Sequence, residues 1–219
     1  MSQFRTEEDT LGPVQIPQEA LWGPQTERSR HNFPTGQFMP LAIIRALLNI
    51  KKAAAQANLE LNQIDEAKGK LIIEAIDQLL ALPDDDLRKD FPLKVYQTGS
   101  GTQTNMNTNE VVANLAKRLN PDVTVLPNDD VNKGQSSNDV YPTAMNIVAV
   151  EALDQLLPAV QHLIDELKAK QEQYWHVVKV GRTHLQDATP LTFGQEVSGY
   201  VAALEHDRDY LKQLQPTLL

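Results

Sequence analysis

Apolar residues along this chain recur mostly at helical spacing. Residues 38 to 62, "FMPLAIIRALLNIKKAAAQANLELN", place them every three or four positions, and Ile64 to Leu82 repeats the pattern until Pro83 stops it, predicting an antiparallel helix pair. "EVVANLAKRLN" predicts a short helix ending at Asn120-Pro121, with Asn107 and Glu110 in the N-x-x-E spacing of a capping box. From Val140 to about Gln173, Ile147, Val150, Leu153, Leu157, Val160, Ile164 and Leu167 mark one face of an unusually long helix. Pro158 is expected to bend or divide it, because a proline ring removes a backbone bond and crowds the preceding turn. "HVVKVG", residues 176 to 181, predicts a strand, and Phe193 to Gln213 a further long helix ended by Pro216. With a few short strands, as at Val14 to Ile16, the pattern predicts a mainly α protein.

The last two long helices carry wide apolar faces with little chain after them. A missing partner helix or a second subunit is the expected cover.

Composition narrows the function. The 219 residues are 41% hydrophobic, enough for a sizeable core. Twenty basic against twenty-nine acidic residues give a net charge of −9, which opposes binding to nucleic acid and to anionic membrane surfaces. The absence of cysteine excludes disulfides, thiolate metal sites and cysteine nucleophiles, and fits a cytoplasmic protein. "MSQFRTEEDT" lacks an apolar signal core, and no uninterrupted apolar run approaches the roughly 18 to 20 residues of a membrane span, so the expectation is a soluble, unprocessed chain.

Three polar stretches carry the chemistry. "TGSGTQTNMNTNE", residues 98 to 110, has nine uncharged hydrogen-bonding side chains in thirteen positions. "NKGQSSNDVYPTA", 132 to 144, and "GRTHLQDATPLTFGQE", 181 to 196, follow the same order, with a glycine first, then hydroxyls and amides, then entry to an apolar helix. Each alone is ordinary capping and loop chemistry. Converging at the ends of a helical bundle, the three would make a site for a small anion, gripped by helix N-termini and short neutral donors.

Of the five histidines, His31, His162, His176 and His206 lie in surface or structural contexts. His162 and Glu166 stand one helical turn apart but have no third ligand, so no metal site is predicted. His184, between Thr183 and Gln186 in a turn after a strand, is the candidate for proton transfer.

"TGSGTQTNMNTNEV", "PNDDVNKGQSSNDVYPTAM" and "GRTHLQDATPLTFGQE", with the early "LWGPQTERS", resemble class II fumarate hydratase in the fumarase/aspartase superfamily. The resemblance spans Leu21 to about His206. "SSND" and "RTH" favour fumarase over aspartate ammonia-lyase, which tends to have Gln at the position of His184. The resemblance implies reversible addition of water to fumarate, giving L-malate, without metal or organic cofactor. Carried over, Ser100, Gly101, Thr102, Ser136, Ser137, Asn138 and Thr183 would bind substrate carboxylates, and His184 would move the proton at the hydroxyl-bearing carbon. Family chains form homotetramers around a bundle of long helices, with each site drawn from three subunits. Residues 1–135 would be the N-terminal, mostly helical lyase domain, and 136–219 the first part of the bundle domain.

Two departures stand out. The family's flexible G-S-S-x-M-P-x-K-x-N loop, source of the base and a binding lysine, is nowhere in the 219 residues. Family chains are about twice as long, so this one resembles an N-terminal half expected to be inactive alone. Leu126 replaces the usual histidine of a second dicarboxylate site at Leu126, Pro127, Asn128 and Asp129, and a leucine neither donates nor accepts there. Two alternatives stay open: an aspartate ammonia-lyase, and a non-catalytic structural fragment.

Overall fold

The computed structural model of the protein describes residues 3–218. They fall into two compact units, Met1–Met145 and Asn146–Leu219.

The first unit opens with an antiparallel hairpin, β1 (Phe4–Asp9) and β2 (Gly12–Pro17), which extends the strand expected at Val14 to Ile16. Helix α1 (Pro24–Asn32) follows, with a proline in its first turn where no backbone donor is needed. Next come α2 (Leu41–Glu60) and α3 (Glu66–Ala81). Arg45 donates to the Leu80 and Leu82 carbonyls while Lys52 pairs with Asp77, so the two helices run antiparallel, as their sequence spacing predicted. Asp65 caps α3 by accepting from the backbone of Ala67 and Lys68. A short α4 (Asp84–Leu87) leads toward α5 (Thr102–Leu119). Leu47, Leu48, Ile72, Ile76, Leu79, Val111 and Val112 form a core that α2, α3 and α5 share.

Helix α5 begins five residues before the expected capping box. Asn107 and Glu110 therefore lie inside the helix, both buried, and neither caps it. Glu110 instead caps a different helix: its carboxylate accepts from the backbone N–H groups of Gly23, Gln25 and Thr26 at the start of α1.

Helix α6 (Ser137–Gln173) runs 37 residues and passes through Pro158 unbroken, so of the expected bend or division the division does not occur. One lost bond is affordable in so long a helix. Part of α6 is also long and apolar enough to cross a membrane by length and composition, where no uninterrupted run in the sequence was. The averaged window counts apolar residues spread along the helix, with Glu151 and Asp154 between them, a pattern of bundle helices as well.

In the second unit β3 (Val178–Thr183) matches the expected strand, and it pairs with β4 (Gln186–Thr192), which the sequence pattern missed. Helix α7 (Phe193–Leu214) follows, begun by a capping box between Thr192 and Gln195. Arg208 bonds Gln161, and Lys168 pairs with Glu205, holding α7 along α6. Ile164 and Val201 are buried there, whereas Leu156, Leu163, Tyr200 and Tyr210 stay exposed.

Candidate functional site

The first polar stretch folds as a tight turn into α5. Gly101 caps the helix with φ +68°, a left-handed conformation that glycine adopts without cost. A Cβ there would also lie 2.2 Å from the ring of Tyr141, so the turn is pressed against the start of α6. Around it, the Ser100 and Thr102 hydroxyls lie 3.0 Å apart, and Thr98 bonds the side chain of Gln103. Ser100 and Thr102 are exposed, and Gly101 is buried beneath them.

The second stretch forms the entry to α6. Ser136 and Asn138 are exposed and Ser137 is half-buried; the Asn138 N–H donates to the Ser136 hydroxyl at 3.2 Å. One turn into α5, Asn105 Nδ2 donates to Ser137 Oγ at 2.9 Å and to Asn132 Oδ1 at 3.0 Å. That amide, with the Gly101–Tyr141 contact, brings six of the expected binding residues into one corner of the first unit: Ser100, Gly101, Thr102, Ser136, Ser137 and Asn138.

Beneath the corner lies a residue that the sequence pattern did not single out. Lys51 of α2 is fully buried, and its Nζ donates to Asn132 Oδ1 at 3.1 Å and Gln135 Oε1 at 3.0 Å. Asn109 Nδ2 donates to the same Asn132 oxygen at 3.3 Å. Burial pulls the Lys51 amine down to about 7, since the ammonium is out of water. The signal was present in the spacing: Lys51 falls on the stripe of Ile44, Leu47, Leu48 and Ala55 that α2 turns to the core. Burial likewise raises the Glu110 carboxyl above its ordinary range, against the pull of the three amides it binds.

The third stretch belongs to the second unit. Thr183 ends β3, and His184 and Leu185 form the two-residue tip before β4, with φ of +51° and +62°. Both central residues are left-handed, as a type I′ turn requires, yet neither is the Asn or Gly that such a turn favours. Thr183 and His184 are exposed, and Leu185 is fully so.

His31 reaches Glu27 at 3.1 Å, and His162, His176 and His206 are exposed. Leu126 is also exposed; its N–H donates to Asp130, and Pro127 begins a π-helical turn, Pro127–Val131. Leu126 and Pro127 line a cavity of about 380 Å³ with Glu7, Glu8 and Lys117.

Residues 12–219 match the family described as lyase. The chain belongs to that lyase family. Within it, the chain is 54% identical over 222 residues to a class II fumarate hydratase of Myxococcus xanthus, covering 98% of this chain and 47% of that protein. It is 48% identical over 215 residues to the class II fumarate hydratase of Bacillus subtilis, covering 95% and 46%. Among solved lyases, the class II fumarase of Schistosoma mansoni superposes with a TM-score of 0.84 at 43% identity, over 99% of this chain and 46% of that one. A fumarate lyase:delta crystallin of Brucella melitensis gives 0.85 at 40%, over 99% and 51%. The chain thus spans about half the length of the relatives it matches, and the fold expected from the resemblance is the fold found.

Proposed function

We propose that this chain is the N-terminal portion of a class II fumarate hydratase, which adds water reversibly to fumarate and gives L-malate. The observation that carries the reading is the corner built by Asn105 and Tyr141, where hydroxyls and amides of two distant stretches come together. Ser100, Thr102, Ser136, Ser137 and Asn138 would bind the substrate carboxylates, with Gly101 letting the backbone come close and Thr183 adding a hydroxyl. Taking a proton from the carbon beside a carboxylate leaves an aci-carboxylate of higher charge. Preorganised neutral donors stabilise that charge as it develops, each worth about 10²- to 10³-fold in rate. They do so without a salt bridge that would hold the ground state as tightly.

His184, at an exposed and strained tip, would transfer the proton at the hydroxyl-bearing carbon. The exposed apolar residues of α6 and α7 support burial against further copies of the chain, with a homotetramer as the expected assembly. Residues 136–219 would then supply the first helices of its central bundle. The G-S-S-x-M-P-x-K-x-N loop is not among the 219 residues, so these residues alone are expected to lack the base.

A steady-state assay following the ultraviolet absorbance of fumarate tests the reading. The full-length polypeptide should consume fumarate and form malate, and the 219-residue chain alone should not. Failure of the full-length polypeptide to form malate, or release of ammonia from aspartate in its place, overturns the proposal.

A further inference from the structure

We propose that Lys51 is a positioning residue for the carboxylate-binding corner: it sets the direction of a hydrogen-bond relay that leaves the Ser137 hydroxyl hydrogen free for the ligand. The inference rests on the dicarboxylate site proposed above.

Lys51 occupies a core position of α2 where Leu or Met would fill the space at far less cost, since a buried cation without a counterion is strongly disfavoured. Its Nζ bonds are to two neutral side-chain amides, Asn132 and Gln135. The neutral amine has two N–H groups for these two contacts, and the ammonium, which prevails below about 7, has donors only. The atoms facing it are therefore the two amide oxygens, and the Asn132 side chain cannot turn over.

The consequence passes along the relay. Asn132 Oδ1, an acceptor, is met by the nitrogens of Asn105 and Asn109 at 3.0 and 3.3 Å. Asn105, held nitrogen-forward, donates to Ser137 Oγ at 2.9 Å. Ser137 accepts at that contact, so its own hydrogen is directed elsewhere. Donation is what a substrate carboxylate needs from a hydroxyl.

Holding this direction has a visible cost: Asn105 Oδ1 and Asn109 Oδ1 are buried without a hydrogen-bond partner. Reversing Asn105 would let its oxygen accept from Ser137, but it would also set that oxygen 3.0 Å from Asn132 Oδ1, an acceptor against an acceptor, while Lys51 demands an acceptor from Asn132. As the ammonium, the lysine is the one member of the relay whose polarity is not reversible.

The test is a double-mutant cycle in the full-length enzyme, with folding checked by thermal melting. Lys51→Met should lower kcat/KM for fumarate about 10²- to 10³-fold, comparable to Ser137→Ala, because both remove one oriented donor. Added to Ser137→Ala, Lys51→Met should cost less than about 3-fold more, since residues acting through one contact are not additive. Lys51→Gln, which retains an N–H donor, should recover part of the loss. Should Lys51→Met not fold, Asn105→Asp runs the same cycle: its carboxylate makes Ser137 donate inward, and the same loss and non-additivity are expected. Additive losses, or an unchanged kcat/KM in a folded Lys51→Met, overturn the inference. A wild-type enzyme that does not hydrate fumarate overturns instead the function on which it rests.

Discussion

Glu110 and Gly23 lie 87 residues apart in sequence and 2.9 Å apart in space, the carboxylate of one accepting from the backbone N–H of the other. The contact is close enough that a Cβ on residue 23 would lie 2.8 Å from the Glu110 carboxyl carbon. Two further amides, of Gln25 and Thr26, converge on the same carboxylate and tie α1 to α5.

Glu110→Gln should therefore destabilise the protein by about 1–3 kcal/mol, because an amide turns one acceptor into a donor facing buried N–H groups. Gly23→Ala should cost a comparable amount by forcing the carboxylate away. Urea denaturation of both variants checks this, and midpoints equal to wild type would contradict it.

Lys51 gives stability a pH dependence of definite sign. The amine loses its proton near 7 in the fold and near 10.5 when exposed. Between those values the unfolded chain binds more protons, so stability rises with pH across that window. Below about 7 both states are protonated and the full cost of the buried cation is present. At about 1.4 kcal/mol per unit the rise amounts to a few kcal/mol. Unfolding free energies measured from pH 6.5 to 10 should show it in wild type and lack it in Lys51→Met.

Much of the fold was legible from spacing alone. Helices α2, α3 and α7 announce themselves because their buried faces are apolar at helical intervals. The start of α5 does not, because that face is built from Thr104, Asn105, Thr108 and Asn109, whose burial depends on partners elsewhere in the chain. Strand β4, "QDATPLT", has no apolar alternation, and β3 opposite it supplies its pairing. The candidate corner was half legible. Its glycines, hydroxyls and amides stood out as stretches, whereas Lys51 read as one more helical lysine until Asn132 and Gln135 met it.

The hairpin tip carries strain that glycine would relieve. A left-handed leucine costs about 1–2 kcal/mol, part of which glycine returns through greater freedom of the unfolded chain. Leu185→Gly should stabilise by about 0.5–1 kcal/mol, read as an upward shift in melting temperature. An unchanged or lower melting temperature would show that the tip is not strained.

His184→Asn keeps a residue tolerant of that conformation and removes the imidazole ring. In the full-length enzyme it should lower kcat by about 10²- to 10⁴-fold with little change in KM, as expected for loss of a general acid–base group. A large rise in KM at constant kcat would assign the ring to binding instead.

The most direct measurement incubates the full-length polypeptide with fumarate in one arm and L-aspartate in the other, following malate and ammonia together. The account predicts malate from fumarate and no ammonia from aspartate, with malate formation falling about 10²- to 10³-fold in Ser137→Ala. Ammonia from aspartate, or an undiminished rate in Ser137→Ala, would contradict it.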